Sequence, residues 1–510
     1  MSDGATEATA RPPSMLAALT PPLLLLALIA LGFLLYGDDA MGGPIQVALM
    51  VCAIVSALIG LYYGYSMETI GQGAIASITT AVGSMFILLS VGALIGTWNM
   101  SGTIATLTFY GIELISPTWF YLACVVICAG MSLAIGSSWT VAGTLGAALV
   151  GISVVLGLSP EVTAGAVISG AYFGDKLSPL SETTNLAAAI AGTDLYTHIR
   201  SMMKTTIPAI IIAAGIFTIM GVRADAEGAI DLTTAQEAIS TAFTVGIAML
   251  IPLIGVIILA VRRVPPTITI MTGALLGGIV AVIWQPSVVE AFVDEPDLPT
   301  PLVMVKGVWS AMATGFTADT GNASLDALVS GGGMASMLGT LWLILAALAF
   351  GGIMQATGQL GVLIGPIHRW ARSDRKLMVA TGATGIATNL VAADQYLAVV
   401  MTTTVNKEEF EARRITPQSL SRQVEDTATV TSPLVPWNSC GAYMAASLGV
   451  ATIAYFPFCF FNLINPAVSF AYALLGRGIG HTEDDEYQAA PETVDMYGMG
   501  GREVKEVGRV

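Results

Sequence analysis

Residues 161–194 read EVTAGAVISGAYFGDKLSPLSETTNLAAAIAGTD. The stretch begins small and apolar from Val162 to Phe173, like a membrane helix, then breaks into Gly174-Asp175-Lys176 and a run of hydroxyls around Pro179. After Thr184-Asn185 it turns small and apolar again. Lipid satisfies no main-chain donor or acceptor, so a charge, a proline and bare carbonyls at membrane depth belong inside protein, lining a polar cavity. Helix, break, helix is the pattern by which transporters bring half-helix ends and unwound carbonyls to the bilayer midplane.

The rest of the chain supplies the membrane context. Of its 510 residues, 55% are hydrophobic and 11% charged, with a mean hydropathy of +0.76, whereas soluble domains carry about 25% charged residues. Apolar windows of roughly twenty residues, enough helix to cross about 30 Å of hydrocarbon, recur about ten times or more. The short alternating segments of a membrane β-barrel are absent from the sequence. Most of the net charge of −15 comes from acids in loops and tails, including Glu483-Asp484-Asp485-Glu486; these read as solvated surface. Cys52, Cys124, Cys128, Cys440 and Cys459 fall in apolar or motif segments and form neither a disulfide framework nor a zinc spacing. Met15 to Tyr36 is too long for a signal-peptide core and reads as a retained first span.

Spans are expected at 15–36, 44–64, 74–97 and 117–136, with a break at Thr97-Trp98-Asn99-Met100-Ser101-Gly102 and another at Gly136-Ser137-Ser138-Trp139-Thr140. Asp194 to Lys204 reads as an amphipathic connector into a span ending near Gly221. Further spans at 240–261, 267–284 and 333–355 repeat the plan. Ala335-Ser336, Gly351 and Gly361 each follow Ala76-Ser77, Gly92 and Gly102 by 259 residues, and Ser432-Pro433-Leu434 follows Ser178-Pro179-Leu180 by 254. Three registered segments in one order indicate a duplication. Arg262-Arg263 and Arg369/Arg372/Arg375/Lys376 mark the cytoplasmic side, and the acid-rich loops at 37–43, 222–239 and 285–300 the outside. The first copy then runs outward and the second inward. The expected fold is an all-α polytopic membrane protein of two inverted-topology repeats, whose broken helices and re-entrant hairpins meet at the midplane. Its parts are a polar cytoplasmic N-tail (1–14), repeats at 15–221 and 240–477 flanking an external acidic loop (222–239), and an acidic cytoplasmic C-tail (478–510).

Candidate ion- and proton-binding groups line the breaks: Asp175, Ser178, Thr183, Thr184 and Asn185 in the first half; Glu425, Asp426, Thr429, Ser432 and Asn438 in the second, with Asp394 at a hairpin tip. Lys176, Ser181, Glu182 and Asn389 are expected to support them. Na⁺ is a hard cation that takes oxygen from hydroxyls, amides, carboxylates and unwound carbonyls, and the same carboxylate can take a proton instead. An acid at membrane depth costs about 2.5 kcal/mol or more, which marks it as functional. Each also has a plain structural reading: Lys176 as an ion pair with Asp175, Glu182 facing water, Asp394 capping a helix. His198 and His368, beside Arg200 and Arg369, read as interface residues, and His481 lies in the tail.

These segments resemble the NhaC family of sodium/proton antiporters. The likeness rests on Gly170-Ala-Tyr-Phe-Gly-Asp-Lys-Leu-Ser-Pro-Leu-Ser-Glu-Thr-Thr-Asn185, Ala191-Gly-Thr-Asp194, Ala393-Asp-Gln-Tyr396, Glu425-Asp426, Thr431-Ser-Pro-Leu434 and Pro436-Trp-Asn438. Gly96-Thr-Trp98, Ser101-Gly-Thr103 and Thr320-Gly-Asn322 add to it, and the likeness spans residues ~15–477. Where that family usually has Asp, this chain has Glu182, and Ala188 stands where a proline is usual. The resemblance implies a secondary transporter of the cell membrane exporting Na⁺ or Li⁺ against H⁺ by alternating access, not an enzyme. The alternative it carries is a Na⁺- or H⁺-coupled exchanger of a small organic anion such as malate or lactate. The expected partners are Na⁺, protons and the lipid bilayer, without nucleic acid and without a cofactor; a homodimer is the oligomer considered.

Overall fold

The computed structural model describes residues 10–482 except 115, 225–231, 321–325 and 327–328. The acidic run from Glu483, Gly321-Asn322 and the side chain of His368 lie outside the described residues. Within them the chain is all-α and polytopic, its only extended pairing being two isolated bridges. Eight helices are long and apolar enough to cross a membrane, or ten if each of two bent pairs counts as one span.

The first half comprises α1 (Met15–Tyr36), α2 (Pro44–Tyr62), α3 (Met67–Met100), α4 (Thr103–Leu114), α5 (Phe120–Ile135) and α6 (Ser138–Val155), then α7 (Pro160–Leu177), α8 (Glu182–Ala191) and α9 (Leu195–Arg223). The second comprises α10 (Leu232–Ala242), α11 (Ile251–Val261), α12 (Pro266–Trp284), α13 (Pro286–Val293), α14 (Thr300–Thr314), α15 (Leu338–Ala356) and α16 (Gln359–Trp370). It closes with α17 (Asp374–Ala392), α18 (Gln395–Ala412), α19 (Pro417–Val424), α20 (Ser439–Leu448), α21 (Thr452–Tyr455) and α22 (Phe460–Leu475).

Three expectations change. The helix expected at 74–97 runs on to Met100, because Trp98 is buried and donates to Gly273 O at 3.1 Å; it stops before Gly102, whose φ of 72° suits glycine. The supposed connector at 194–204 is the first part of the continuous helix α9, capped by Asp194 and burying His198, Ser201 and Met202. The span expected at 240–261 is bent by 84°. There the Gln285 side chain accepts from Thr244 N at 3.0 Å and donates to Thr244 O at 2.9 Å, satisfying main chain that the bend would leave bare.

α3 and α15 cross so closely that a Cβ on Gly73 would lie 2.8 Å from Gly352 O, and Gly333, shortly before α15, donates its N–H to Gly92 O at 2.6 Å. Small residues allow such backbone approach where lipid gives no hydrophobic drive to pack. The breaks also correspond. Gly136 (φ 75°) precedes the N-cap Ser137, and 257 residues later Ala393 (φ 57°) precedes the N-cap Asp394. The two hairpins enter at opposite ends of α9. The main chain of Thr118, just before α5, packs on Gly221 near the end of α9, whereas Ser421 in α19 bonds His198 in its first turn at 2.7 Å. Asp374, which opens α17, lies with Arg413 at 3.7 Å on that second side.

Candidate ion-binding site

α7 ends because Pro179 follows: a residue before proline is driven out of the helical region, and Ser178 sits at φ −78°, ψ 129°. Ser181 then caps α8 by accepting from Thr184 N, and its hydroxyl lies 3.2 Å from that of Thr183. Thr184 Oγ1 donates back to Lys176 O at 3.2 Å. Asp175, buried at the end of α7, accepts from Ser138 N at 3.1 Å and Ser138 Oγ at 2.7 Å. The carboxylate thus sits on the positive end of α6, a favourable place for negative charge.

The second broken helix is irregular over a longer stretch. After α19 the chain widens into a π turn, Glu425–Thr429, and then tightens into a 3₁₀ turn, Ser432–Leu434. Pro433 has no N–H to give Thr429 O, and the Ser432 hydroxyl lies there instead at 2.7 Å. π turns cluster at functional positions. This one carries both acids into the interior, where Glu425 and Asp426 are fully buried.

The two breaks meet. Lys176 Nζ pairs with Asp426 Oδ1 at 3.0 Å, with both side chains wholly inaccessible to solvent. Lys176 therefore bonds across the halves and not with its neighbour Asp175. Asn465 Nδ2 also donates to Asp426 Oδ1, and Thr205 Oγ1 lies within reach of it, each at 3.1 Å. Asp426 Oδ2, both carboxylate oxygens of Glu425 and the Thr429 hydroxyl have no hydrogen-bond partner in the protein. A second, fully bonded network lies beside them. Asn389 Nδ2 donates to Ala428 O and, at 3.0 Å, to Thr431 Oγ1; Asn438 Nδ2 donates to Asn389 Oδ1 at 3.2 Å; Ser432 Oγ, whose single hydrogen has Thr429 O and Gln395 Oε1 to choose between, lies 2.6 Å from Gln395 Oε1. Asp394 and Asn438 serve there as N-caps of α18 and α20, and Ser439 Oγ donates to Asp394 at 3.0 Å.

Two contacts, one at each hairpin tip, tie the tips to the other half. Trp139 stacks on Tyr443 at 4.0 Å, and Tyr396 donates to Glu182 at 2.6 Å. Glu182 and Asn185 are exposed, on the rim. Overall, the buried ionisable carboxyls among the described residues are Asp175, Asp394, Glu425 and Asp426, against the buried cations Lys176 and Arg422. Burial makes a lone charge costly, so the surplus of carboxyls requires a proton or a metal cation.

The model of the Na⁺/H⁺ antiporter family matches residues 170–477. The chain belongs to that family. This antiporter is 35% identical to the Na⁺/H⁺ antiporter NhaC of Alkalihalophilus pseudofirmus, over 85% of its own length and 91% of the relative's. It is 34% identical to the malate-2H⁺/Na⁺-lactate antiporter of Bacillus subtilis over 88% and 92% of the two chains. Against the arginine/ornithine antiporter ArcD of Halobacterium salinarum the figures are 31%, 89% and 90%.

Several antiporter residues at the site escape a reading of the breaks alone. Thr205, Asn462, Asn465, Gln395 and Tyr172 come from intact helices or helix starts. Asn462 and Asn465 did carry a signal: two amides three residues apart, followed by Pro466, inside an apolar span. Thr205 did not, since a lone threonine in a span ordinarily bonds its own preceding turn, and Thr205 Oγ1 does lie 3.0 Å from Met202 O, which competes with Asp426 for its one hydrogen.

Proposed function

We propose that this antiporter exports Na⁺, or Li⁺, in exchange for H⁺ by alternating access, with Glu425 and Asp426 as the groups for which the two cations compete. The carrying observation is the buried Lys176–Asp426 pair beside a Glu425 whose carboxylate has no protein donor. The pair consumes the charge of Asp426, and Glu425 remains to be neutralised by a proton or by Na⁺, one excluding the other. Thr429, in the same π turn, offers an additional oxygen. Asp175 holds the α6 terminus against the first break, so a cation reaching Asp426 shifts the balance of charge at the joint between the halves.

Inverted halves suit this task, because equivalent breaks entering from opposite faces give the site two routes. The entry of α5 and α17 at opposite ends of α9 supports that arrangement, and the loop charges support both termini being cytoplasmic. The organic-anion alternative needs a free buried cation. Lys176 is engaged by Asp426, and the other buried cation, Arg422, is turned to Gly478 O at 2.9 Å, so neither is offered to an anion at the breaks, which favours Na⁺/H⁺ exchange. The deciding experiment is flux in proteoliposomes: a Na⁺ gradient is imposed with no organic solute and internal pH is followed. Na⁺-dependent proton movement is expected across about pH 6 to 9, the range in which enzymes and carriers tune their acid groups; its absence would refute the proposal.

A further inference from the structure

Between α22 and the second broken helix runs a polar row that exchange at the two acids does not account for. Asn462, Asn465 and Ser469 occupy one face of α22, at i, i+3 and i+7. They meet the broken helix in antiparallel register. Asn462 Nδ2 donates to Val430 O at 2.9 Å, Asn465 Nδ2 to Asp426 Oδ1 at 3.1 Å and to Asp426 O at 3.4 Å, and Ser469 Oγ to Gln423 Oε1 at 2.9 Å. All three side chains are buried, the two asparagines completely.

The donor ends of the amides have a structural explanation, since a wide turn and a proline break expose main-chain oxygens that a neighbouring helix must satisfy. The acceptor ends do not. Asn462 Oδ1 and Asn465 Oδ1 have no protein donor, and neither do Asp426 Oδ2, the Glu425 carboxylate or the Thr429 hydroxyl on the facing turn. A buried oxygen left so is costly. A serine could donate to the same carbonyls with a far smaller oxygen-bearing group to bury. Two amide oxygens on one helix face, opposite unpartnered carboxylates, have the composition of a hard-cation shell, in which carboxylates supply charge and neutral carbonyls complete the coordination.

We propose that Asn462 and Asn465 are ligands of the transported cation, their side-chain oxygens joining Glu425 and Asp426, while the Asn465 amide holds the Asp426 carboxylate in place. This rests on the Na⁺/H⁺ reading. It adds that α22 sets ion selectivity: neutral oxygens discriminate Na⁺ from Li⁺ by distance, and the acids decide between cation and proton.

The test compares wild type, Asn462→Ala and Asn465→Ala in proteoliposomes, measuring the KM for Na⁺ and for Li⁺ and the maximal rate. Na⁺-dependent thermal stabilisation in detergent is measured in parallel. Asn462 touches no acid, so a loss there reports ligation and not the positioning of Asp426. Each variant is expected to raise the KM for Na⁺ about tenfold, the loss of one good oxygen contact, to change the Na⁺/Li⁺ ratio of KM values, and to shrink the stabilisation by Na⁺. Asn462→Ser and Asn465→Ser, which keep an oxygen, serve if the alanine variants do not fold and should recover part of the affinity. Unchanged KM values and an unchanged ion ratio in both variants, with exchange intact in wild type, would overturn this inference alone. No Na⁺-driven proton movement in wild type would overturn it together with the reading beneath it.

Discussion

At the scale of single residues, the ion pair and the partnerless acid respond to mutation in opposite ways. Asp426→Asn takes from the buried Lys176 ammonium its ion-pair partner, and breaking one member of a buried pair costs about 3–5 kcal/mol. The variant is expected to melt at lower temperature in detergent and to lose exchange. Adding Lys176→Met removes the stranded charge and should restore most of the stability but none of the exchange; a double variant as unstable as the single one would contradict the pairing. Glu425→Gln removes a buried charge whose oxygens accept no hydrogen bond from the protein. It should therefore abolish exchange with its melting temperature unchanged or raised, and retained exchange would remove Glu425 from the site. The chemistry was legible in the residue types, since acids, hydroxyls and amides at membrane depth are costly wherever they occur. The pairing was not. Asp175 and Lys176 are adjacent in sequence, but successive residues of a helix point about 100° apart, and only the packing of α7 against the π turn shows that the ammonium reaches Asp426. Asp394 caps α18, the plain structural reading that its sequence already offered.

At the scale of elements, the breaks are made by few residues and should be sensitive to small changes. Gly136 adopts φ 75°, and a Cβ there would lie 2.6 Å from the carbonyl carbon of Leu180. Gly136→Ala thus combines the left-handed strain of a non-glycine residue, about 1–2 kcal/mol, with a clash against the backbone of the other break. Lower thermal stability and slower exchange are expected; a variant equal to wild type in both would mean that the two breaks are not packed as described. Breaks of this kind announce themselves, because Ser-Pro-Leu and Gly-Ser-Ser interrupt apolar runs. The π turn does not: nothing in Glu425-Asp426-Thr427-Ala428-Thr429 distinguishes a wide turn from an ordinary helical one. Helix continuity was also hidden at α9, where the polar residues from Asp194 to Lys204 look like a surface connector: Asp194, Thr197, Arg200 and Lys204 are exposed, while His198 and Ser201 are buried, His198 against Ser421. Hydropathy measures contact with lipid, and these two residues contact protein.

At the scale of the whole molecule, what remains to be decided is the relative sense of the halves. Small-residue matches and loop charges imply inversion, and the structure places the start of α5 at the end of α9 and the start of α17 on the side where α9 begins. A membrane-crossing helix about 29 residues long, as α9 is, spans roughly 43 Å, enough to put those two starts on opposite faces of the bilayer. Single cysteines make this measurable, because all five native cysteines are buried while Thr118 and Arg372 are exposed. Thr118→Cys should react with a membrane-impermeant maleimide added outside intact cells, and Arg372→Cys only after the membrane is opened. Asp297→Cys and Arg263→Cys, in loops of opposite charge character, should follow the same division. Labelling of Thr118→Cys and Arg372→Cys from one face would mean parallel halves. The site would then have both its broken helices entering from the same side, and one of the two access routes that exchange requires would have to be built from some other part of the chain.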